Sequence, residues 1–532
     1  MNKNFFKSEY AIAILGVLIG FLIALTFNKL TTSKIRKVDQ RDWRKVSLIL
    51  NEIAANYVDT IDVTKITDGA VEGALSALDP HSIYMPPAVL KETQTDLAGN
   101  FDGIGIQFNV PNDTAIVLEV IPGGPSEKVG LQKGDRIIKV DKKVIAGVKC
   151  AQDTMVSKMK GPSGTKVEVT VERGGTLIPF NITRGKIPVH SVDASFMIND
   201  TTGYIRLSKF TRTTYDEFKE ASEKLLSSGM KRLIFDLRDN PGGYFEQSFK
   251  LSNEFLKKND EVVYLKGLHR KKEDYKADGK GELTDVRLSV LINENSASSS
   301  EIFAGAIQDN DRGVIVGRRS YGKGLVQEPI LFTDGSGIRI TVARYYTPSG
   351  RCIQKPYDNL EDYRYDIYNR YEHGELTSAD SIKVNKDEAF KTIGGRTVYG
   401  GGGITPDIFV AMDTTRASSF FVKCNKKATQ MRFASSMFDK YKTSLSEIND
   451  FKTLNSFLDK MDIPSKFKSY ASSTDGITPT AKEWAETQEY LVPQLRALIG
   501  RYSKLGENAF YKLYLSVDTT LQKALESSST VK

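Results

Sequence analysis

Residues 286–317, VRLSVLINENSASSSEIFAGAIQDNDRGVIVG, run from an apolar segment through a polar turn into a helix-like pattern and out through a second apolar segment. VRLSVLIN and GVIVG are strand-like in length and β-branched content, and the stretch between them predicts a helix over about Ser300 to Asp309. The turn carries four serines in five positions, 296–300. Serine clusters usually mark flexible linkers, but this one lies mid-chain between segments that look buried. Read as strand, turn and helix, it places a serine at a helix N-terminus. There it is either a helix cap, for which Ser300 followed by Glu301 is well suited, or a nucleophile next to free backbone N–H groups that stabilise developing negative charge.

Outward from this turn the same rhythm continues over residues 190–350. TGYIRL (202–207) and KRLIFDLR (231–238) read as strands, YDEFKEASEKLLSSG (215–229) and YFEQSFKLSNEFL (244–256) as helices, and NPGG (240–243) as a turn. Strand alternating with helix predicts an α/β layer with at least partly parallel strands. Chemistry in such sheets collects on loops at the C-terminal ends of strands, where both NPGG and the serine turn fall. Residues from about 100 have another texture: GIGIQF, AIVLEVI, DRIIKVD and KVEVTVERGG are short alternating runs broken by glycine, with AQDTMVSKMK a short helix candidate. They make a β-rich module of about 90 residues. Residues 40 to about 95 read as a helical packing or dimerisation module. The chain is helical and polar again beyond about 415, and ESSSTVK (526–532) reads as a disordered tail.

With 532 residues, 40% hydrophobic and 26% charged, the chain has ordinary globular composition and room for about three or four domains. Its net charge of +8 is spread over 74 basic and 66 acidic residues. No compact basic stripe with interleaved aromatics occurs, which argues against nucleic acid. Cys150, Cys352 and Cys424 are far apart and match no zinc spacing, so neither a metal site nor a disulfide framework is expected. At the N-terminus, AIAILGVLIGFLIALTF (11–27) is an uncharged run preceded by Lys3 and Lys7. Its length favours an uncleaved membrane anchor over a signal peptide, with Ala24 and Thr26 leaving cleavage open. Lys29, Lys34, Arg36 and Lys37 after the run outnumber the lysines before it, and by charge alone would hold the rest of the chain in the cytosol.

A serine nucleophile needs a base. None of the four histidines, His81, His190, His269 and His373, follows a pattern tying it to the serine turn. The other recurring base is a lysine whose pKa is lowered by burial. Lys323, between Gly322 and Gly324 in GVIVGRRSYGKGLVQEPI (313–330), is the strongest candidate; an exposed turn is the bland alternative. GRRSYGKG also approaches a phosphate-binding loop, but Gly324 stands where that motif needs Ser or Thr, and LVQEPILF reads as a strand, not a helix. An S-x-x-K match at Ser157–Lys160 lies in the β-rich module without companion motifs.

Taken together, LDPHSIYM (78–85), FDGIGIQF (101–108), GGPSEKVGLQKGDRIIKVD (123–141), DLRDNPGG (236–243), SASSSEIFAGAIQDNDRGVIVGRRSYGKGLVQ (296–327) and GGGITPDI (401–408) resemble, in order, the carboxy-terminal processing peptidases, or tail-specific proteases. These are Ser-Lys serine proteases with an inserted PDZ domain. In the family's S-A-S-A-S-E motif the middle serine is the nucleophile, which falls on Ser298. The lysine of F-G-K-G falls on Lys323, and Gln327 matches the residue that orients it. Ser299 replaces alanine and Tyr321 replaces phenylalanine, but only the backbone N–H is needed at position 299.

The resemblance implies a multidomain α/β protein. Its expected order is an N-terminal membrane helix or signal segment (1–28), a helical module (29–95), a PDZ domain (96–185), an α/β protease core of the crotonase/Clp-protease-like type (186–415) and a helical C-terminal region (416–532). It implies a serine endopeptidase without cofactor or metal. Backbone N–H groups of Ser299 and Gly243 would form the oxyanion hole, and Gly103, Ile104, Gly105 and Ile106 the loop that takes a peptide C-terminus. Expected partners are protein or peptide substrates with apolar C-termini and a membrane, with room for a homo-oligomer or an adaptor, and without nucleic acid. It also implies an anchor in a bacterial inner membrane with the catalytic part in the periplasm, against the charge bias; long domains can translocate regardless of nearby charge. The alternative from another class is an inactive PDZ scaffold that only binds tails. The insertion near 357–385 (YDNLEDYRYDIYNRYEHGEL) and the C-terminal helices receive no role from the family pattern.

Overall fold

The computed structural model describes residues 40–111, 113–414 and 418–527. The apolar run 11–27 and the last five residues of the chain lie outside the described residues, so the expected membrane helix is not among them. Among the described residues, no helix is long and apolar enough to cross a membrane.

Among the described residues, those up to Ala77 form one unit and those from Leu78 onward another. Within the first, helices Gln40–Asn56 and Val63–Ser76 follow the expected helical pattern. Asp62 caps the second helix by accepting from the Lys65 N–H at 3.1 Å. The expected helical stretch does not continue unbroken to 95. Ile83–Met85 is a strand, paired antiparallel with Gly337–Arg339 in a sheet of the second unit. Pro80 ends the helical pattern, and Asp79 then nucleates a turn by accepting from the N–H groups of His81 (2.8 Å) and Ser82 (2.9 Å).

The centre of the second unit is a six-stranded sheet in the order Val192–Met197, Thr202–Leu207, Arg232–Asp236, Arg287–Ile292, Val314–Gly317, Ile408–Phe409. The first two strands are antiparallel and each later neighbour is parallel. RLIFD and VIVG are buried along their whole length, as strands covered on both faces must be. Alternate residues serve two cores. Leu233, Phe235, Val290 and Ile292 face helices Thr214–Ser227, Phe245–Asn253 and Ser299–Asp309. Tyr204, Ile234, Leu291 and Val316 face Leu515, Leu521 and Ala524 of the C-terminal region. The C-terminal helices are therefore the third layer of the α/β core, and they also carry a core of their own.

A second sheet runs Ile83–Met85, Gly337–Tyr346, Glu261–Lys266, Glu273–Lys276, with Leu325–Leu331 folded back on Gly337–Tyr346. The β-rich module is an antiparallel sheet, Ile106–Asn109, Ala115–Val120, Arg136–Val140, Lys166–Arg173, Thr176–Thr183, with helix Gln152–Met159. Valines 167, 169 and 171 of KVEVTVER point into its core, the alternation visible in the sequence. Strands Asn100–Gly103 and Gly185–Pro188 pair antiparallel where the chain enters and leaves, so the module is an insert on a two-stranded stem.

Candidate active site

The turns after Arg232–Asp236 and Arg287–Ile292 leave neighbouring parallel strands at the same end of the sheet, and side chains lace them together. Asp239 accepts from the amides of Asn293 (2.7 Å) and Asn295 (3.0 Å), and the Asn240 carbonyl accepts from the Ala297 N–H at 3.0 Å. The serine cluster divides by what each hydroxyl does. Ser296 donates to the Leu237 carbonyl (2.8 Å), Ser299 to the Gly243 carbonyl (3.0 Å) and Ser300 to the Asn240 carbonyl (3.0 Å). Three of the four thus fasten this turn to the segment after Arg232–Asp236, two of them (Ser299 and Ser300) to NPGG itself. Ser298 alone of the four donates its hydroxyl to no carbonyl; its oxygen faces the first turn of the helix in a capping box with Glu301, and it meets the phenol of buried Tyr345.

Ser298 is the N-cap of helix Ser299–Asp309, two residues earlier than Ser300, the residue the capping pattern favours. Its φ of 54° and ψ of −113° are strained for a residue with a Cβ, a conformation that persists only where the surroundings over-determine it. Ser299 supplies the first helical N–H, one of the donors that a helix leaves without an internal partner. Opposite it, Gly242 sits so close that a Cβ would fall 2.8 Å from the Ser298 Cβ and 2.9 Å from the Ser299 nitrogen. A Cβ on Gly243 would fall 1.9 Å from the Phe210 carbonyl oxygen.

Lys323 lies on the loop between Val314–Gly317 and Leu325–Leu331. Gly324 leads straight into that strand, which removes the phosphate-loop alternative because no helix follows. Ser157 and Lys160 of the S-x-x-K match are in the β-rich module, where the Ser157 hydroxyl donates to the Thr154 carbonyl at 2.9 Å. The Lys323 loop is fixed to the serine turn by one carboxylate, Glu301. Fully buried in the first turn of the helix, it accepts from the N–H groups of Ser298 (2.8 Å), Gly322 (2.7 Å) and Lys323 (2.8 Å), and from the Ser320 hydroxyl. The Ser298 and Lys323 bonds end on the same oxygen, Oε2. From above, the Tyr345 hydroxyl donates to the Lys323 carbonyl.

Burial disfavours the ammonium form of Lys323, and the nearby Arg339 guanidinium adds to it. Glu301 and Asp79 oppose them, and the pKa falls from 10.5 to about 8. Burial pushes the Glu301 carboxyl up, against its four hydrogen bonds. His81 stands beside Lys323; burial first, then the Lys323 charge, bring its pKa to about 4. Lys355, the other lysine in this region, is spent on Asp366 at 2.9 Å.

Ser298, Ser299, Gly243 and Lys323 therefore meet in one place. Gln327 is on the adjoining strand, but its amide donates to the His81 carbonyl rather than to Lys323. Gly103, Ile104, Gly105 and Ile106 lie in the β-rich module, where a cavity of 390 Å³ is bounded by them, by Phe108 and by Val156 and Met159 of helix Gln152–Met159. Arg501 and Glu507 of the C-terminal region reach the same cavity. Ile104 is almost wholly buried, and its carbonyl accepts from the N–H and hydroxyl of Ser126. The roles of Glu301, Tyr345, Asp79 and His81 are not apparent from residue patterns. Glu301 did carry a signal, the S-x-x-E spacing from Ser298; Tyr345 carried none.

Comparison with known proteins gives a consistent picture. Peptidase family S41 matches residues 201–361, the PDZ domain residues 103–183, and the N-terminal domain of the activating protease CtpB residues 24–88. A probable CtpA-like serine protease of Staphylococcus aureus is 32% identical over 379 residues, covering 70% of this chain and 75% of that protein. The carboxy-terminal-processing protease of Bartonella bacilliformis is 35% identical over 353 residues, covering 64% of this chain and 79% of that protein. Among solved structures, a photosystem II D1 C-terminal processing protease aligns at 25% identity and a TM-score of 0.37, covering 68% of this chain and 86% of that one.

Proposed function

The chain belongs to peptidase family S41, the carboxy-terminal-processing serine proteases with a PDZ domain, and on that basis we propose that it is an endopeptidase working through a Ser298–Lys323 dyad. Neutral Lys323 takes the proton from the Ser298 hydroxyl as its oxygen attacks the scissile carbonyl. The amine leaves with a proton from Lys323, and water, deprotonated by the same lysine, hydrolyses the acyl-enzyme. The N–H groups of Ser299 and Gly243 receive the oxyanion, and one such donor is worth about 3 kcal/mol in the transition state. Gln327 acts on the lysine indirectly, by holding the His81 segment beside it.

The observation that carries this reading is the Glu301 carboxylate, which takes the backbone N–H groups of Ser298 and Lys323 on one oxygen. Substitution tests it. Ser298→Ala and Lys323→Ala each abolish cleavage of an unstructured protein substrate, Lys323→Arg does no better because arginine stays charged, and Ser300→Ala retains activity. Activity in Ser298→Ala together with inactivity in Ser300→Ala would move the nucleophile and reject the assignment.

The PDZ domain takes the substrate's C-terminal tail as an added strand beside Ile106–Asn109. The N–H groups of Gly103–Ile106 receive the terminal carboxylate, and the 390 Å³ apolar cavity receives the last side chain. Substrates with apolar C-termini are favoured, and amidating the tail slows cleavage; equal cleavage of free and amidated tails refutes this recognition. The boundaries 96–185 and 186–415 serve as PDZ domain and protease core. The enzyme processes or degrades cell-envelope proteins from the periplasmic side of a bacterial inner membrane, held by the run 11–27. Digestion of the enzyme by added protease in spheroplasts, against protection in intact cells, tests that placement.

A further inference from the structure

The loop that carries Lys323 is held by the insertion near 357–385 as well as by Glu301. This segment forms two short helices, Leu360–Arg364 and Asp366–Glu372, followed by a turn to Glu375. Arg370 is buried, and its guanidinium donates to the Ser320 carbonyl at 3.1 Å and the Arg319 carbonyl at 2.6 Å. Its Nε donates to Glu375 at 2.8 Å, and Glu375 in turn takes a forked pair of bonds from Arg319 at 2.8 and 2.7 Å. Tyr363, also buried, bonds His81 Nε2 through its hydroxyl at 2.6 Å and stands edge-on to Tyr321. Lys355 lies against both tyrosine rings, 3.9 Å from the centre of Tyr321 and 4.3 Å from that of Tyr363, with Asp366 of the insertion as its counter-charge.

The geometry is that of a clamp. The main chain of residues 319–324 has no regular structure of its own; backbone bonds such as those from the Ser320 N–H to the Ile404 carbonyl and from the Tyr321 N–H to the Ser296 carbonyl hold it in part, and side chains take its remaining groups. Arg370 takes the carbonyls at its start, Glu301 the N–H groups at its middle, and the Gln354 amide oxygen accepts from the Gly324 N–H at its end, at 2.8 Å. Glu301 belongs to the core helix, whereas Arg370, Glu375 and Tyr363 belong to the insertion. We propose that the insertion forms one wall of the active site, in which Arg370 and Tyr363 are positioning residues: Arg370 fixes the Lys323 loop, and Tyr363, through His81, keeps water from the Lys323 amine.

This rests on Lys323 being the general base. The charged and titratable groups facing that amine are Arg339 from strand Gly337–Tyr346, Glu301 from the helix, and Asp79 and His81 from the turn before Ile83–Met85. None of these belongs to the insertion, so the insertion acts on the amine by excluding water and fixing its position. Losing that wall rehydrates the ammonium and raises its pKa toward 10.5. Since the neutral amine is the active form, the acid limb of the rate profile then moves to higher pH.

The test compares the full-length chain with Arg370→Ala, Arg370→Lys, Tyr363→Ala and Lys323→Ala, following cleavage of an unstructured, apolar-tailed protein from pH 6 to 10. Arg370→Ala is expected to lower kcat at pH 8 by about tenfold or more with KM changed by less than about threefold, as misplacement of a catalytic group does. Its acid limb moves up by about half a pH unit or more. Arg370→Lys, which can still donate to one of the two carbonyls, recovers part of both effects. Tyr363→Ala moves the limb in the same direction, and decides alone if Arg370→Ala does not fold. Unmoved limbs in the folded insertion variants, with Lys323→Ala inactive, overturn this inference and leave the base assignment standing. Full activity in Lys323→Ala overturns both.

Discussion

At the scale of single residues, the proposed chemistry turns on the burial of charge around Lys323. An amine that titrates near 8 instead of 10.5 is partly neutral at neutral pH, so cleavage should rise with pH through about 8. Arg339 forms no ion pair among the described residues and is the second cause of that depression. Arg339→Met is therefore expected to raise the limb, and Arg339→Lys to leave it nearly in place, both read from kcat/KM against pH. The same shift is a stability statement. Between about 8 and 10.5 the unfolded chain binds more protons at this position than the folded one, so folding grows more favourable as pH rises through that window. Below it the buried ammonium costs up to about 3 kcal/mol. Lys323→Met should thus raise the Tm at pH 7, and the gap should narrow at pH 10. Glu301→Gln gives the opposite sign. An amide cannot accept from all four donors and turns an N–H toward them, so it should cost about 2–4 kcal/mol and most of the activity. An unchanged Tm would show that the carboxylate is not the fastener between the two turns.

At the scale of elements, two turns and one helix end build the site, and each is legible to a different degree. The serine turn reads as a cap or a nucleophile loop, and hydroxyl bonding separates its members: Ser299 and Ser300 hold the NPGG turn, Ser296 holds Leu237 just before it, and the Ser298 hydroxyl donates to none of them. The NPGG turn announces itself by its glycines but not by what it touches. Gly243→Ala would drive a Cβ into the Phe210 carbonyl, at φ +148°, so the turn must move and carry its N–H with it. A fall in kcat of about 10²–10³ is expected, with KM less affected, as steady-state kinetics would show. The strand Ile83–Met85 is the element least visible in advance. Three residues are too few for a period, and they become a strand only because Gly337–Arg339 offers an edge to pair with. That pairing brings Asp79 and His81 to the lysine.

For the whole molecule, the C-terminal helices are structural partners of both other parts. They cover one face of the six-stranded sheet through Leu515, Leu521 and Ala524. They also supply Asp518 to half-buried Arg238 in a forked pair at 2.6 and 3.0 Å. Against the PDZ domain, Lys133 donates to the Arg501 carbonyl at 3.1 Å, and Arg136 pairs with Asp439. Ending the chain after residue 414 strips that sheet face and leaves Arg238 short of its second carboxylate. The product should be insoluble or inactive, as gel filtration and a cleavage assay would show. Asp518→Asn is the milder form, expected to cost about 2 kcal/mol in a thermal melt.

The sequence by itself determined the strand and helix rhythm, the glycine turns and the family's ordered motifs, because these depend on local periodicity and on residue types at short spacing. Those same motifs pointed to Ser298 and Lys323. Only the tertiary structure decided which serine hydroxyls bond the facing turn, how deeply the lysine is buried, and where the insertion and the C-terminal helices attach. Each of these depends on desolvation or on hydrogen bonds between residues far apart in the chain: Tyr363 with His81, Arg370 with Ser320, Asp518 with Arg238. Burial and such pairings are properties of the packed molecule, and residue order does not display them. The serine cluster shows the division most plainly: four hydroxyls alike in sequence divide into three that donate to main-chain carbonyls of residues 237–243 and one, on Ser298, that does not.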